Sequence, residues 1–466
     1  MIRAGAGLVT AAFLTAASAA LAQDLSLNRP GSGARAAGMG NAFIAVSDDG
    51  TAASWNPAGL SQLRKPEFSL VHSSGDRRFF LEGYRTRDGS AAFTSLATST
   101  STANLEFASA AVPFSVAGKP VTVQVGWRRL YQIASLVQGE MRRVAVSAGP
   151  RPESELRFDA ASDGAIDLWS LAGAVRFTSR LSLGWSFDLY RGGWEDQRTT
   201  SEDPGVLGTT DFSSFVESHQ VSGNDLTLGL LLAYPSLKVG VVYHGAFSAG
   251  LEDSVSVRSS LIDPLEASLG PDARLHFPRS VGLGVAWRPR PLLRLALDVT
   301  YDEWTRFLIS GTPLAPERTV SIFDGLPPEL SATRDTVAVN AGLERLFGVK
   351  DKYVPLRLGL SYEPQGARDP LVRDGFDHFV VAAGTGLNTN SVKLDVALEY
   401  RWGGFRSTRS VSPVYEVGRA VELGLPPAPE AEGNTRIEQW RLKVSIIYRV
   451  TDTGKMKGLL KRVFGS

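Results

Sequence analysis

The chain has no cysteine among its 466 residues. That absence excludes a disulfide framework, a thiolate metal site and a cysteine nucleophile. It agrees with export to an oxidising compartment. Charge of one sign is also lacking: 49 Lys and Arg stand against 48 Asp and Glu, a formal +1. Without a basic excess, a nucleic-acid partner loses its electrostatic basis. Only five histidines occur, His72, His219, His244, His276 and His378, and none stands in H-E-x-x-H or another close ligand spacing. No G-x-S-x-G elbow is found. Neither a metal, nor a cofactor, nor enzymatic activity is therefore expected. Long apolar runs are missing too: beyond Ala22 no stretch of about 18 apolar residues offers a transmembrane helix.

What is present begins with a leader. Arg3 gives a positive start, Leu8 to Leu21 is apolar and small, and Ala20-Leu21-Ala22 is an A-x-A cleavage site. Residues 1–22 read as a secretory signal peptide, with Gln23 first in the mature chain. Hydrophobic residues make up 43% of the chain and mean hydropathy is −0.04. Such values suit a soluble protein, but a barrel with alternating lipid and lumen faces averages to the same figure.

From Glu67 onward the dominant pattern has period two. Leu181, Leu183, Trp185, Phe187 and Leu189 alternate with Ser182, Gly184, Ser186, Asp188 and Tyr190; Val281, Leu283, Val285 and Trp287 alternate with Ser280, Gly282, Gly284 and Ala286. Strict alternation places one set on each face of a strand. Fourteen strands are predicted, at about 66–74, 103–115, 120–136, 164–178, 180–192, 224–235, 236–249, 279–289, 291–306, 335–346, 355–364, 376–388, 391–402 and 435–450. Short connections such as Ala117-Gly118-Lys119-Pro120 and Asn388-Thr389-Asn390 alternate with long ones at about 75–102, 137–163, 193–223, 250–278, 307–334 and 403–434. Short periplasmic turns and long outer loops are the habit of outer-membrane barrels, whereas a soluble sandwich rarely gathers every long loop at one end.

The fold predicted is an all-β, fourteen-stranded antiparallel transmembrane barrel at residues 66–450, in the outer membrane of a Gram-negative cell. Both termini are expected in the periplasm. Trp127, Trp287, Trp304, Trp402, Trp440, Tyr301, Tyr362, Tyr400 and Tyr448 fall near strand ends and suit the membrane–water boundary. The opposite face carries Arg128, Asp188, Arg294, Asp298, Arg357, Asp395, Glu399 and Arg401, with Glu344 and Lys393. The balance of signs predicts internal ion pairs that brace a filled lumen, since buried charges need partners.

Residues 23–65 do not read as a barrel strand. Gly31-Ser32-Gly33-Ala34-Arg35-Ala36 superficially suggests a phosphate loop, but Ala36 stands where the third glycine is needed and no buried strand precedes it. A compact plug, or hatch, is the better reading. Small residues let backbone thread a narrow lumen, and glycine takes turns of positive φ. Ser47 or Asp48 is placed to cap a helical turn, and Asn56 before Pro57 favours a turn with its own backbone extended.

Gly38-Met39-Gly40-Asn41-Ala42-Phe43, followed by Trp55-Asn56-Pro57-Ala58-Gly59-Leu60, resembles the N-terminal signature of the FadL/TodX outer-membrane transport proteins and their PorV-like relatives. Phe277-Pro278-Arg279-Ser280-Val281 and Tyr301-Asp302-Glu303-Trp304 are similar as well. The resemblance implies a plugged fourteen-stranded barrel that carries long-chain fatty acids or aromatic hydrocarbons inward. It implies that Gly38, Gly40, Asn41, Asn56, Pro57 and Ala58 belong to the hatch. One departure is the C-terminus: the last strand ends near Val450, and residues 451–466 form a basic, amphipathic periplasmic tail.

The expected partners are a hydrophobic small molecule, outer-membrane lipid with lipopolysaccharide, and the barrel-assembly machinery, the protein itself being a monomer. Loop residues Leu261, Ile262, Phe307 and Phe323, with Leu251, Leu265, Leu308 and Ile309, are candidates for a capture surface, against the alternative that the loops pack on themselves. A PorV-like accessory barrel that docks secreted or surface proteins is the competing function.

Overall fold

The computed structural model describes residues 31–451, except 87–90, 94–95, 144–153, 204–210, 261–263, 269–272, 313–314, 324–325, 350–351, 370–372 and 411–429. The leader, Gln23–Pro30, Leu261, Ile262 and the tail from residue 452 lie outside these residues.

The chain forms one closed antiparallel barrel of fourteen strands. Nine strands run unbroken: Glu67–Thr86, Leu96–Val116, Lys119–Arg143, Ser154–Arg176, Leu181–Asp203, Asp211–Ala233, Lys352–Arg368, Gly375–Asn388 and Val392–Ser410. Thr336–Val349 and Glu430–Arg449 are two more. Three strands consist of two pieces: Leu237–His244 with Phe247–Ser259, Arg274–Phe277 with Ser280–Arg290, and Leu293–Asp302 with Leu308–Thr312. Each pairs with its sequence neighbour, and the ring closes where Glu67 faces Arg449 and the register runs on to Thr86 facing Ala431. Both ends of the ring therefore lie at the end that carries the short turns. There Ala117 and Gly118 both take positive φ, 49° and 73°, the backbone of a two-residue hairpin turn whose twist matches its strands.

The faces follow the predicted alternation. Val281, Leu283 and Trp287 point outward, while Ser280, Gly282, Gly284 and Ala286 point inward. Across the sheet Leu283 stands beside Val299 and Val241, so apolar side chains form a belt rather than isolated spots. Leu360 is 61% and Trp287 50% exposed; in water a continuous surface of this kind would associate, and in a bilayer it meets lipid tails. Trp402, Trp440, Tyr301 and Tyr448 share this outer face. Trp304 does not. It is 1% exposed and sits inside the barrel, because the chain turns inward through a single 3-10 turn, Trp304–Arg306.

The long connections differ from expectation in kind. Residues 137–163 and 193–223 are mostly hairpin, not loop. The strand Lys119–Arg143 has 25 residues, roughly 80 Å of extended chain at about 3.3 Å each, far more than a bilayer core of about 30 Å requires even with tilt. Beyond the belt the outward positions turn polar, as at Arg191, Glu195 and Gln197. The sheet thus continues out of the membrane as a wetted collar at the end opposite the termini.

Candidate functional site

The described N-terminal segment, residues 31–63, lies against the inner wall. It folds as a short helix, Ala34–Gly38, and two 3-10 turns, Ala52–Ser54 and Pro57–Gln62. The helix gives way to Gly40 and Asn41, both left-handed at φ 59° and 63°. Glycine adopts that conformation freely and asparagine tolerates it. Asn56 is extended, at φ −153° and ψ 106°, as a residue before proline should be. Its Oδ1 accepts from the Ala58 N–H (3.1 Å), capping the turn that begins at Pro57. Its Nδ2 donates to the carbonyls of Ile44 (3.2 Å) and, on the wall, Leu230 (3.0 Å). One side chain therefore caps the segment, ties it to itself and fastens it to the barrel. Neither Ser47 nor Asp48 caps a helical turn: the turn Ala52–Ser54 starts at Thr51 with no side-chain cap, Asp49 Oδ1 accepts from the Thr51 N–H at 3.1 Å in the bend before it, and Asp48 is drawn away by Arg35.

Inward-facing glycines make room for this segment. A Cβ on Gly359 would stand 1.8 Å from the Gly40 nitrogen, and one on Gly229 would stand 2.2 Å from Asn56 Oδ1. Gly184 is held as tightly by Pro57 and Ala58, Gly342 by Met39, and Gly282 by Ile44. The wall meets the segment at van der Waals distance on several sides, a density typical of protein interiors.

A buried charge cluster joins the same two parts. Arg35 reaches Glu344 through Nε (2.9 Å) and Asp48 through Nη1 (2.5 Å). Glu344 also pairs with Arg294 (2.7 Å) and Arg357 (2.8 Å), and Arg357 with Asp395 (2.8 Å). Lys393 holds Asp49 at 2.6 Å and Asp395 at 3.5 Å. Four cations, Arg35, Arg294, Arg357 and Lys393, thus face four carboxylates, Asp48, Asp49, Glu344 and Asp395. Burial alone would raise the Asp48 carboxyl; Arg35, then Arg294, outweigh it and hold that carboxyl well below the usual range. At Asp49 the same contest is won by Lys393, then Arg35. Asp298 adds a different tie, accepting from the Phe43 and Ile44 N–H groups at 2.5 and 2.7 Å.

The remaining predicted lumen residues also face inward. Arg128 donates to the Ser54 carbonyl at 3.3 Å, Asp188 accepts from Ser186 at 2.8 Å, Arg401 pairs with Glu363 at 2.8 Å, and Glu399 with Arg441 at 2.7 Å.

No protein-family model and no curated protein matches this sequence. Solved structures do match in shape. A FadL homologue from Pseudomonas aeruginosa aligns over 90% of this chain and 98% of its own, with a TM-score of 0.59 at 13% identity. The toluene transporter TodX of Pseudomonas putida aligns over 91% and 100%, at 0.57 and 15%, and the Ralstonia pickettii toluene transporter TbuX over 91% and 99%, at 0.53 and 15%. The chain has the FadL-type fold. At such identities the likeness speaks for the fold alone, and what this barrel does rests on its own residues.

Within this FadL-type barrel the lumen changes character toward the collar. Beyond the N-terminal segment lies an apolar cluster that includes Leu168, Tyr190, Val221, Leu251, Phe277, Trp304, Phe307, Ile309 and Phe323. Phe247 and Phe277 stack at 4.6 Å with planes 4° apart, and Phe277, Phe307 and Trp304 continue the contact at 5.2 and 5.8 Å. The two sequence motifs meet here: Tyr301 and Asp302 pair with Val281 and Ser280, and the Glu303 carboxylate binds Arg279 at 3.0 Å. Both strands break at this level, and the break turns Phe277 and Trp304 inward. Of the proposed capture residues, Phe307 and Phe323 are buried in this cluster, as are Leu251 and Ile309; the loops pack on themselves at those positions. A cavity of about 70 Å³ separates Ile44 and Trp55 of the N-terminal segment from His244, Asp298 and Asn340 of the wall.

Two features went unseen in the sequence. Arg35 gave no sign of its partner 309 residues away. The inward glycines were visible in the alternation, but their use depends on a segment that the pattern cannot dock.

Proposed function

We propose that this barrel takes up hydrophobic small molecules, such as long-chain fatty acids or aromatic hydrocarbons, across the outer membrane, with residues 23–65 as the hatch and both termini in the periplasm. The observation that carries the reading is the apolar, aromatic layer stacked directly above a polar, ion-paired segment. Apolar side chains at the collar offer a place for a molecule that leaves water. The charged layer beneath denies a continuous aqueous pore. The 70 Å³ cavity between the N-terminal segment and the wall is smaller than the roughly 300 Å³ at which small-molecule sites begin, so passage along the lumen requires the hatch to shift. In this reading the barrel is a non-enzymatic monomer, inserted by the assembly machinery among lipid and lipopolysaccharide.

A docking scaffold for exported proteins would also tolerate a sealed lumen. Uptake of labelled oleate and toluene by cells with and without the gene separates the two. Loss of uptake on deletion, restored by the gene, is expected. Unchanged uptake together with a secretion defect would sink the transport reading.

A further inference from the structure

Three neighbouring strands in the collar bring together residues that the mechanism above does not use. Asp196 faces Glu217 directly across one ladder, and His219 faces Asp253 across the next. All four side chains are 1–3% exposed. They form a polar island within the apolar cluster, whose members Trp194, Val221, Leu251 and Val255 are their strand neighbours. His219 Nδ1 lies 2.8 Å from Asp253 Oδ1. Its Nε2 lies 3.3 Å from Asp196 Oδ2 and 3.9 Å from Glu217 Oε2, and makes no hydrogen bond. Neither Glu217 oxygen has a hydrogen-bond partner. A buried carboxylate without donors is costly, and this one points at an imidazole nitrogen in the same state.

We propose that Asp196, Glu217 and His219 bind a first-row divalent cation, Zn²⁺ fitting best, with Asp253 orienting the imidazole. One nitrogen and two carboxylate oxygens are donors that Zn²⁺ accepts, at about 2.0–2.2 Å in tetrahedral array; that geometry sets donors about 3.3–3.6 Å apart. The three atoms already lie within 4.8 Å of one another. Asp253 fixes the tautomer, since a proton on Nδ1 shared with a carboxylate leaves Nε2 as the ligand. Trp194 holds the ring in place, stacked on His219 at 4.4 Å, and donates from Nε1 to Asp196 at 2.9 Å. Charge agrees. Three carboxylates carry −3, Arg198 acts on Glu217 with +1, and a divalent ion brings the group to zero. The cation would bolt Leu181–Asp203 to Asp211–Ala233 at the level of the aromatic layer, a structural site distinct from the hatch.

The test uses the full-length barrel, purified in detergent, stripped with chelator and titrated with ZnCl₂ by calorimetry. Binding at one ion per chain is expected, with a rise in Tm of several degrees at a hundredfold excess over Kd. Glu217→Gln and His219→Gln should each weaken Zn²⁺ by at least about a hundredfold, and Asp253→Asn by about 10–100-fold, as an outer partner does. Migration of the unheated barrel on a gel verifies that each variant is folded. No Zn²⁺ response in the wild type, equal affinity in the Glu217→Gln and His219→Gln proteins, or a stronger response to Ca²⁺ than to Zn²⁺ would each overturn the assignment.

Discussion

At the turn end the lumen is filled by charge and glycine; at the collar it is filled by aromatic rings. The two layers hold by different rules. In the first, specific pairs such as Arg35 with Glu344 and Lys393 with Asp49 fix one register of the segment against the wall, and removing one member strands the others. In the second, Phe247, Phe277, Phe307 and Trp304 hold by area and shape, which tolerates rearrangement. In the transport reading proposed above, the stiff layer is the seal and the adaptable one is where a guest would pass.

The sharpest way to break this contrast is at Glu344, which touches Arg35, Arg294 and Arg357. Glu344→Gln leaves those arginines short of a counter-charge, a loss of about 3–5 kcal/mol. The urea midpoint should fall, trypsin should reach Arg35, and conductance in planar bilayers should rise. A variant that stays as closed and as stable as the wild type would show that the cluster does not hold the segment. Phe307→Ala tests the other layer. Truncating this buried ring should lower stability by about 3 kcal/mol or more without raising conductance, and a leak of ions would mean that the two layers are one. Smaller again is Gly359→Ala. Its methyl collides with Gly40, and overpacking of this kind costs about 1–3 kcal/mol; a Tm equal to the wild type's would mean that the segment stands off the wall. The mildest effect is that of pH. Asp48 and Asp49 titrate below the ordinary carboxyl value, so their contribution is complete above the unfolded value of about 3.9 and fades as pH falls beneath it. The drop in urea midpoint caused by Asp48→Asn should be flat from pH 7 to about pH 4.5, and a drop that shrinks within that interval would contradict the pairing.

Much of the barrel was legible because lipid imposes a simple rule. Where the outside is bilayer, as at Leu183, Trp185, Phe187 and Leu189, alternation is stark, and each of the fourteen predicted strands has its counterpart. Where the outside is water the rule lapses. Glu195 and Gln197 outside alternate with Trp194 and Asp196 inside, two mixed sets that look alike in sequence, so the collar strands read as loop. Trp304 was misplaced for a related reason: an aromatic residue at a strand end looks the same whether the chain continues outward or turns in. Asn56 was found through its motif, and its extended backbone through Pro57. The site at His219 was invisible, since its members sit on three strands and meet only through register.

The span of these contacts also bears on the order of assembly. Arg35 waits 309 residues for Glu344, Asp49 waits 344 for Lys393, and the Ala34 N–H waits 411 for the Ser445 hydroxyl. Contacts so remote in sequence form slowly and late. Yet the first strand can join the last only once, at the seam where Glu67 meets Arg449. The segment's partners include Lys393 and Ser445 on the last two strands, so residues 31–63 are fully seated only once those strands are in place, and stowing the segment belongs to the same late stage as sealing the wall.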